Sequence, residues 1–396
     1  MDTITPLRVL LVGATGVFGR RLAEQLVHEP SIALILAGRT ARTLAKLSAD
    51  LGGDTECALF DREQVTPDDL VRIGAHVVID AAGPFQNSRT VLIEAAIGAG
   101  CHYADFADGR AFVTGIRRFD SAARARNVAI LSGASSTPAL SHAALDRLTQ
   151  GWRQIDTIRV AICPGNRTPR GLSVVRAILS YAGQPVRVFR GGTWTTAPGW
   201  GRPHRLAIPG LDIRLASLCE TPDLDLLVES YRPLEAAEFF AGLESRFLHH
   251  SLRLSAMLVR WGLTGSLVPF ARPMHFLASL IRPFGTDRGG MIAEAKGLDA
   301  GGQPLHVQWS LTAYHGRGPF VPTLTALALV RKFRDGTLNF RGAQPCVGIL
   351  SIDDFQADFE RLGIETEIRH SAGLATPTSK RSWPSKKPLR AGCHSN

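Results

Sequence analysis

At 396 residues the chain exceeds one ordinary globular core, so two domains are expected. A hydrophobic share of 45% beside 20% charged residues excludes a disordered chain. The net charge of +10 is concentrated at the end, where residues 369–396 hold six Lys or Arg and no acid; no basic stripe interleaved with aromatics remains, which argues against nucleic-acid binding.

Arg8-Val9-Leu10-Leu11-Val12 is a short apolar run ending at glycine, the mark of a buried parallel strand. From Val17 to His28 the apolar residues Phe18, Leu22 and Leu26 recur at helical spacing until Pro30. Ile32 to Ala37 is a second strand, followed by a helix over 41–51 and a strand at Ala58–Asp61. The alternation continues with a strand at Val77–Asp80, a helix over 90–99, and a short strand at His102–Asp105. A small helix over 121–127 and a strand at 128–131 close the series. Strands alternating with helices predict an α/β fold with a Rossmann-type doubly wound parallel sheet over residues 1–150.

The pattern changes near Gly151. Ile155 to Ile162 alternates like an antiparallel strand, 172–181 is helical, and Val186–Phe189 is extended. Residues 248–284 are the least polar stretch, but Arg253, Arg260, Arg272 and Arg282 punctuate it and three prolines break it. It reads as two half-buried helices and not as a membrane span; a peripheral membrane contact through 248–284 stays open. A strand over 307–314 and an apolar helix over 323–333 follow. Residues 151–368 are therefore expected to form a second α+β domain, its last helix able to return to the first. Residues 369–396, rich in Ser, Pro and Lys, read as a disordered basic tail.

The loop Gly13-Ala14-Thr15-Gly16-Val17-Phe18-Gly19 lies between a strand and a helix. The first glycine permits the turn, the second admits a pyrophosphate against backbone amides, and the third allows close helix–strand packing. The helix N-terminus then offers unpaired N–H groups to phosphate. NAD-specific folds place an acid roughly 20 residues further on; here that position reads Ala37-Gly38-Arg39-Thr40. A guanidinium grips a 2′-phosphate that a carboxylate would repel, so the expected cofactor is NADP(H). Asp61 closes the third strand, where it either reaches an adenine amino group or caps a turn. Ala82, Gly83 and Pro84, after the fourth strand, leave room for ribose and nicotinamide.

The six cysteines are scattered without a C-x-x-C pair, which argues against structural zinc and against a disulfide framework. No apolar leader precedes the first strand. A cytoplasmic protein with reduced thiols and no metal site is expected, a homo-oligomer that takes a small-molecule substrate.

The succession Gly-Ala-Thr-Gly-Val-Phe-Gly, Ala37-Gly38-Arg39, Ala82-Gly83-Pro84-Phe85 and Gly100-Cys101-His102-Tyr103-Ala104-Asp105 resembles the saccharopine dehydrogenase-like family over roughly residues 7–140. That family includes saccharopine reductases, homospermidine synthases and trans-acting enoyl reductases. The resemblance implies that the glycine loop and Arg39 bind NADP, that Gly83-Pro84-Phe85 flanks the nicotinamide, and that Tyr103 and Asp105 face the cleft between domains. The family's Tyr-x-Asp usually continues into Gly-Glu; here Phe106-Ala107-Asp108-Gly109 follows.

No tyrosine has a lysine four positions on, which disfavours the mechanism of the short-chain dehydrogenases. Cys163 is better read as an inert thiol than as a nucleophile. Tyr103, Asp105 and Asp108, with His102, are the candidates to polarise or protonate a substrate, against an alternative in which they only pack and cap. The second domain's Trp194, Trp200, Trp261, Phe270, Phe276 and Trp309 favour an apolar substrate, although core packing accounts for them as well. The expected function is an NADPH-dependent oxidoreductase reducing a C=O, C=N or activated C=C bond. The alternative is a non-catalytic NADP-binding regulator or helper subunit of a larger synthase.

Overall fold

A computed structural model describes residues 5–86, 88–168 and 171–372. The first sheet is laid down by β1 (Leu7–Val12), α1 (Val17–Leu26), β2 (Ile32–Gly38), α2 (Ala41–Asp50), β3 (Glu56–Leu59), α3 (Pro67–Ile73), β4 (Val77–Asp80), α4 (Val91–Ala99) and β5 (His102–Asp105). Two short helices, α5 (Arg110–Thr114) and α6 (Asp120–Ala125), lead to β6 (Ala129–Ser132) and α7 (Ser141–Leu148). All strand pairs of this sheet are parallel, because each crossover returns the chain to the end at which the preceding strand began. Val9, Leu10, Leu11, Val78 and Ile79 are fully buried, as strands covered on both faces must be.

The second sheet takes in β7 (Gln154–Cys163), α8 (Leu172–Tyr181), β8 (Pro185–Arg190), β9 (Thr193–Pro198), β10 (His204–Leu206), β11 (Arg214–Leu218), α9 (Asp223–Tyr231) and β12 (Ala236–Leu243). Then come α10 (Arg246–Arg260), α11 (Ala271–Ile281), β13 (Gly289–Leu298) and β14 (Pro304–Ala313). Finally α12 (Val321–Arg334), β15 (Gly342–Pro345), α13 (Gln356–Leu362) and β16 (Ile364–Ala372) divide themselves between the two sheets. The second sheet is mixed: β7 pairs antiparallel with β13 but parallel with β12.

The first sheet runs β15-β6-β5-β4-β1-β2-β3. Its seventh strand, β15, comes from residue 342 onward and pairs with β6. The helix before it, α12, packs on α1 and β1. Gln25 Nε2 donates to Thr323 Oγ1 at 2.7 Å, and Arg331 pairs with Glu29 at 2.6 Å across that contact. The chain therefore leaves the first layer near residue 150 and comes back to it between 321 and 345.

The expected tail needs correcting at its start. Residues 369–372 complete β16, which pairs with β14 from Ala313↔Ile364 to Leu305↔Ala372. The remainder of the expected tail, 373–396, lies outside the described residues.

Candidate functional site

In this strand order the chain reverses between β1 and β4, and a crevice opens there beyond the carboxyl ends of the strands. A cavity of about 1040 Å³ occupies it. Loops after β1 to β5 form one wall, and α8 of the second sheet forms the other.

The glycine loop is fixed before any ligand arrives. Gly13 N–H donates to Ala37 O at 3.0 Å, tying the turn to β2. Gly13 sits at φ +74°, and a Cβ there would come within 2.8 Å of Ala82 N. At Gly19 a Cβ would lie 2.2 Å from Gly13 O, so α1 packs onto the turn only with glycine at that position. Gly16 caps α1 with no side-chain bond, and no described group accepts from the amides of Thr15, Val17 or Phe18. Those orphan donors at a helix N-terminus suit a diphosphate. Thr15, Gly16, Val17 and Phe18 line the cavity; Ala14 is buried beneath it.

At the end of β2, Arg39 is exposed on the cavity rim and makes no hydrogen bond or ion pair with a described residue. Thr40 beside it starts α2 and is not a lining residue. Asp61 lines the cavity while its Oδ1 accepts from Glu63 N–H at 3.0 Å, closing a turn. The next residue, Arg62, was not singled out from the sequence. Its guanidinium donates to buried Asp80 at 2.8 Å and to Ser88, and stacks 5.1 Å from the Phe85 ring. This side chain pins the loop after β4, which presents Ala82, Gly83 and Pro84 to the cavity.

The three acid–base candidates separate. Tyr103 and Asp105 are 1% and 0% exposed and do not line the cavity, which corrects the expectation that they face the cleft. Strand alternation turns Tyr103 into the core beside Ile130 and Ile93. Asp105 holds the next turn, accepting from Gly133 N–H at 2.8 Å, Ala107 N–H at 2.9 Å and Ser132 Oγ at 2.9 Å. Burial pushes its carboxyl up to about 7 despite those donors. His102 likewise faces away, its Nδ1 accepting from Ala129 N–H and its ring stacked 4.5 Å from Phe333.

Asp108 does line the cavity, on the loop after β5 and facing Gly83-Pro84-Phe85. Its Oδ1 accepts from Gln86 Nε2 at 3.0 Å. Asp108 is exposed at the cavity, with protein packed around its carboxyl. Desolvation by that wall raises its pKa above the usual carboxylate value, with the Gln86 bond opposing.

Opposite, α8 offers Ser173, Arg176, Ala177 and Ser180, residues at helical spacing on one face. Spacing could have shown that these share a face, but not that the face meets this cavity. None of Trp194, Trp200, Trp261, Phe270, Phe276 and Trp309 lines the cavity; its aromatic lining is Phe18, Phe60, Phe85 and Phe106. Cys163 is fully buried away from it.

Residues 9–145 match the family described as the saccharopine dehydrogenase NADP binding domain, bearing out the resemblance read from the motifs. Among curated proteins the chain is similar to trans-acting enoyl reductases of Mycobacterium tuberculosis (strain ATCC 25618 / H37Rv) and Mycobacterium bovis (strain BCG / Pasteur 1173P2). Identity is 36% over 101 residues in each, 24% of this chain and 24% of the relative. The match thus spans about a quarter of those relatives' length. Among solved structures, apo saccharopine dehydrogenase (L-Glu forming) from Saccharomyces cerevisiae superimposes with a TM-score of 0.67 at 12% identity. That superposition covers 92% of this chain and 100% of the other, and shows a common fold. These relatives are oxidoreductases by name.

Proposed function

We propose that the chain, whose residues 9–145 match the saccharopine dehydrogenase NADP binding domain, is an NADPH-dependent oxidoreductase reducing a C=O, C=N or activated C=C bond. The observation that carries the reading is the meeting, around one cavity of about 1040 Å³, of the orphan amides of the glycine loop, Arg39 with no partner among the described residues, and the carboxyl of Asp108. Gly13, Thr15, Gly16, Val17 and Phe18 would hold the diphosphate. Arg39 would clamp the 2′-phosphate, and Asp61 would stand near the adenine. Ala82, Gly83 and Pro84 would flank the nicotinamide ring, which supplies a hydride when bound.

Asp108 supplies the proton. Its raised pKa keeps a larger fraction protonated near neutrality than an ordinary aspartate would have. In that form it can donate to the atom left electron-rich by hydride addition and regain a proton from solvent through the open side. The Gln86 amide, a donor to Oδ1, leaves Oδ2 for the substrate. The lining of Phe18, Phe85, Phe106 and Val174 supports a small, apolar substrate; the enoyl reductase name of the Mycobacterium relatives supports a conjugated C=C as the bond reduced.

A second reading, an NADP-binding helper without turnover, is favoured by one observation: Tyr103 and Asp105 are sealed in the core. NADPH oxidation by the isolated chain across ketone, imine and enoyl panels decides between the two. Turnover that falls in Asp108→Asn supports the enzyme. NADPH binding with no turnover on any panel supports the helper.

A further inference from the structure

Ten of the sixteen large hydrophobic side chains exposed among the described residues fall between Phe247 and Phe284. They are not scattered within that segment. On α10 and its C-cap, Phe247, Leu254, Leu258 and Trp261 fall within an arc of roughly 60° of one helix face. The opposite face, His249, Leu252, Ala256 and Val259, is the buried one. On α11 the exposed residues Phe276, Leu277 and Leu280 form a second stripe, and Phe284 follows at 88% exposure. Both helices seat their inner faces in one satellite core with Trp200 and with Leu179 of α8, and their outer stripes have no partner among the described residues. Trp261 is 63% exposed, Leu263 71%, Phe276 62% and Leu280 56%. Apolar surface of this extent marks an interaction site.

The charge pattern identifies the partner. Residues 245–286 contain five arginines and no acidic residue. Arg246, Arg253 and Arg260 recur every seven positions and form a row alongside the α10 stripe. None of the five is in an ion pair with a described residue. Arg253 and Arg260 continue with Arg202 around a neighbouring cavity of about 500 Å³, whose one lining acid, Glu238, is taken up by ion pairs with Arg190 and Arg159. No helix among the described residues is long and apolar enough to cross a membrane. A second copy of the chain would set this acid-free band against itself across a two-fold axis, with no carboxylate in the segment to pair it.

We propose that the outer face of α10 and α11 docks on an anionic phospholipid surface. The aromatic and leucine stripes enter the headgroup–acyl boundary while the arginine row meets lipid phosphates. The proposal stands independently of the cofactor reading, since neither stripe contributes to the large cavity.

Co-sedimentation of the whole chain with vesicles tests it. Phosphatidylcholine vesicles containing about 30% phosphatidylserine should bind the protein, pure phosphatidylcholine at least tenfold less, and added salt should release it. Trp261→Ser with Phe276→Ser and Leu280→Ser should abolish binding. Arg246→Gln with Arg253→Gln and Arg260→Gln should weaken it roughly a hundredfold, at about 1 kcal/mol per arginine. Unchanged thermal melting certifies each variant, and the arginine set serves if the apolar set fails to fold. Failure of the wild type to bind anionic vesicles overturns the proposal. So does a dimer in sedimentation analysis that the apolar substitutions dissociate, which would assign the face to a second copy.

Discussion

At the scale of single residues, the site is built on charges whose surroundings differ. Arg39 has no described partner and waits on the cavity rim, so its removal should be felt by the ligand alone. Arg39→Ala is expected to weaken NADPH binding by about tenfold to a hundredfold, the span of a charge-assisted contact, with NADH affinity unchanged. Paired fluorescence titrations read this directly; an equal loss for both nucleotides would remove the 2′-phosphate role. Asp108→Asn should lower kcat by roughly 10²- to 10⁴-fold with little change in NADPH affinity. Because Asp108 acts as an acid with a raised pKa, kcat in the wild type should fall as pH rises above that pKa, and this limb should vanish in the variant. Asp105 makes a different prediction. Its pKa rises from 3.8 in the open chain to about 7 when folded, so the stability it contributes is full below about pH 4 and is lost as pH climbs through 7. The loss runs at up to about 1.4 kcal/mol per pH unit. Urea unfolding of wild type and Asp105→Asn at pH 5 and pH 8 should therefore show a smaller decline in the variant; parallel declines would contradict the assignment.

Elements show what a sequence makes legible. β1, β2 and β4 announce themselves as apolar runs because a central parallel strand is covered on both faces, and the glycines at 13, 16 and 19 mark the turn that follows β1. Gly19→Ala tests that turn: a methyl 2.2 Å from Gly13 O must push α1 outward, costing about 1–3 kcal/mol and most of the NADPH affinity. Calorimetric melting and titration would reveal the pair of effects. The last strand was unreadable for the opposite reason. Ile364-Glu365-Thr366-Glu367-Ile368-Arg369 lies at a sheet edge with largely exposed side chains, so it carries no apolar signature. β15 is four residues long, Gly342-Ala343-Gln344-Pro345, and owes its place to a neighbour more than 200 residues away. At the site, residues on the glycine loop were legible because their chemistry is local. Arg62 and the α8 residues were not, because only the tertiary fold brings Asp80 to the one and the cavity to the others.

At the scale of the whole molecule, the cavity's two walls come from the two sheets, the loops after β1 to β5 on one side and α8 on the other. The return of α12 and β15 to the first sheet staples the two together through Arg331, which bridges Glu29 and Asp358. This arrangement places α8 over the cavity from the side of the second sheet. The same second domain carries the arginine-flanked apolar face on α10 and α11, away from the cavity. The central claim is that this cleft holds NADPH with Asp108 beside the reacting group. Titration of the isolated chain with NADPH, followed by nucleotide fluorescence, tests it most directly. The account predicts saturation at one nucleotide per chain, lost in Gly13→Val and kept in Tyr103→Phe. Absence of saturable binding, or binding indifferent to Gly13→Val, would contradict it.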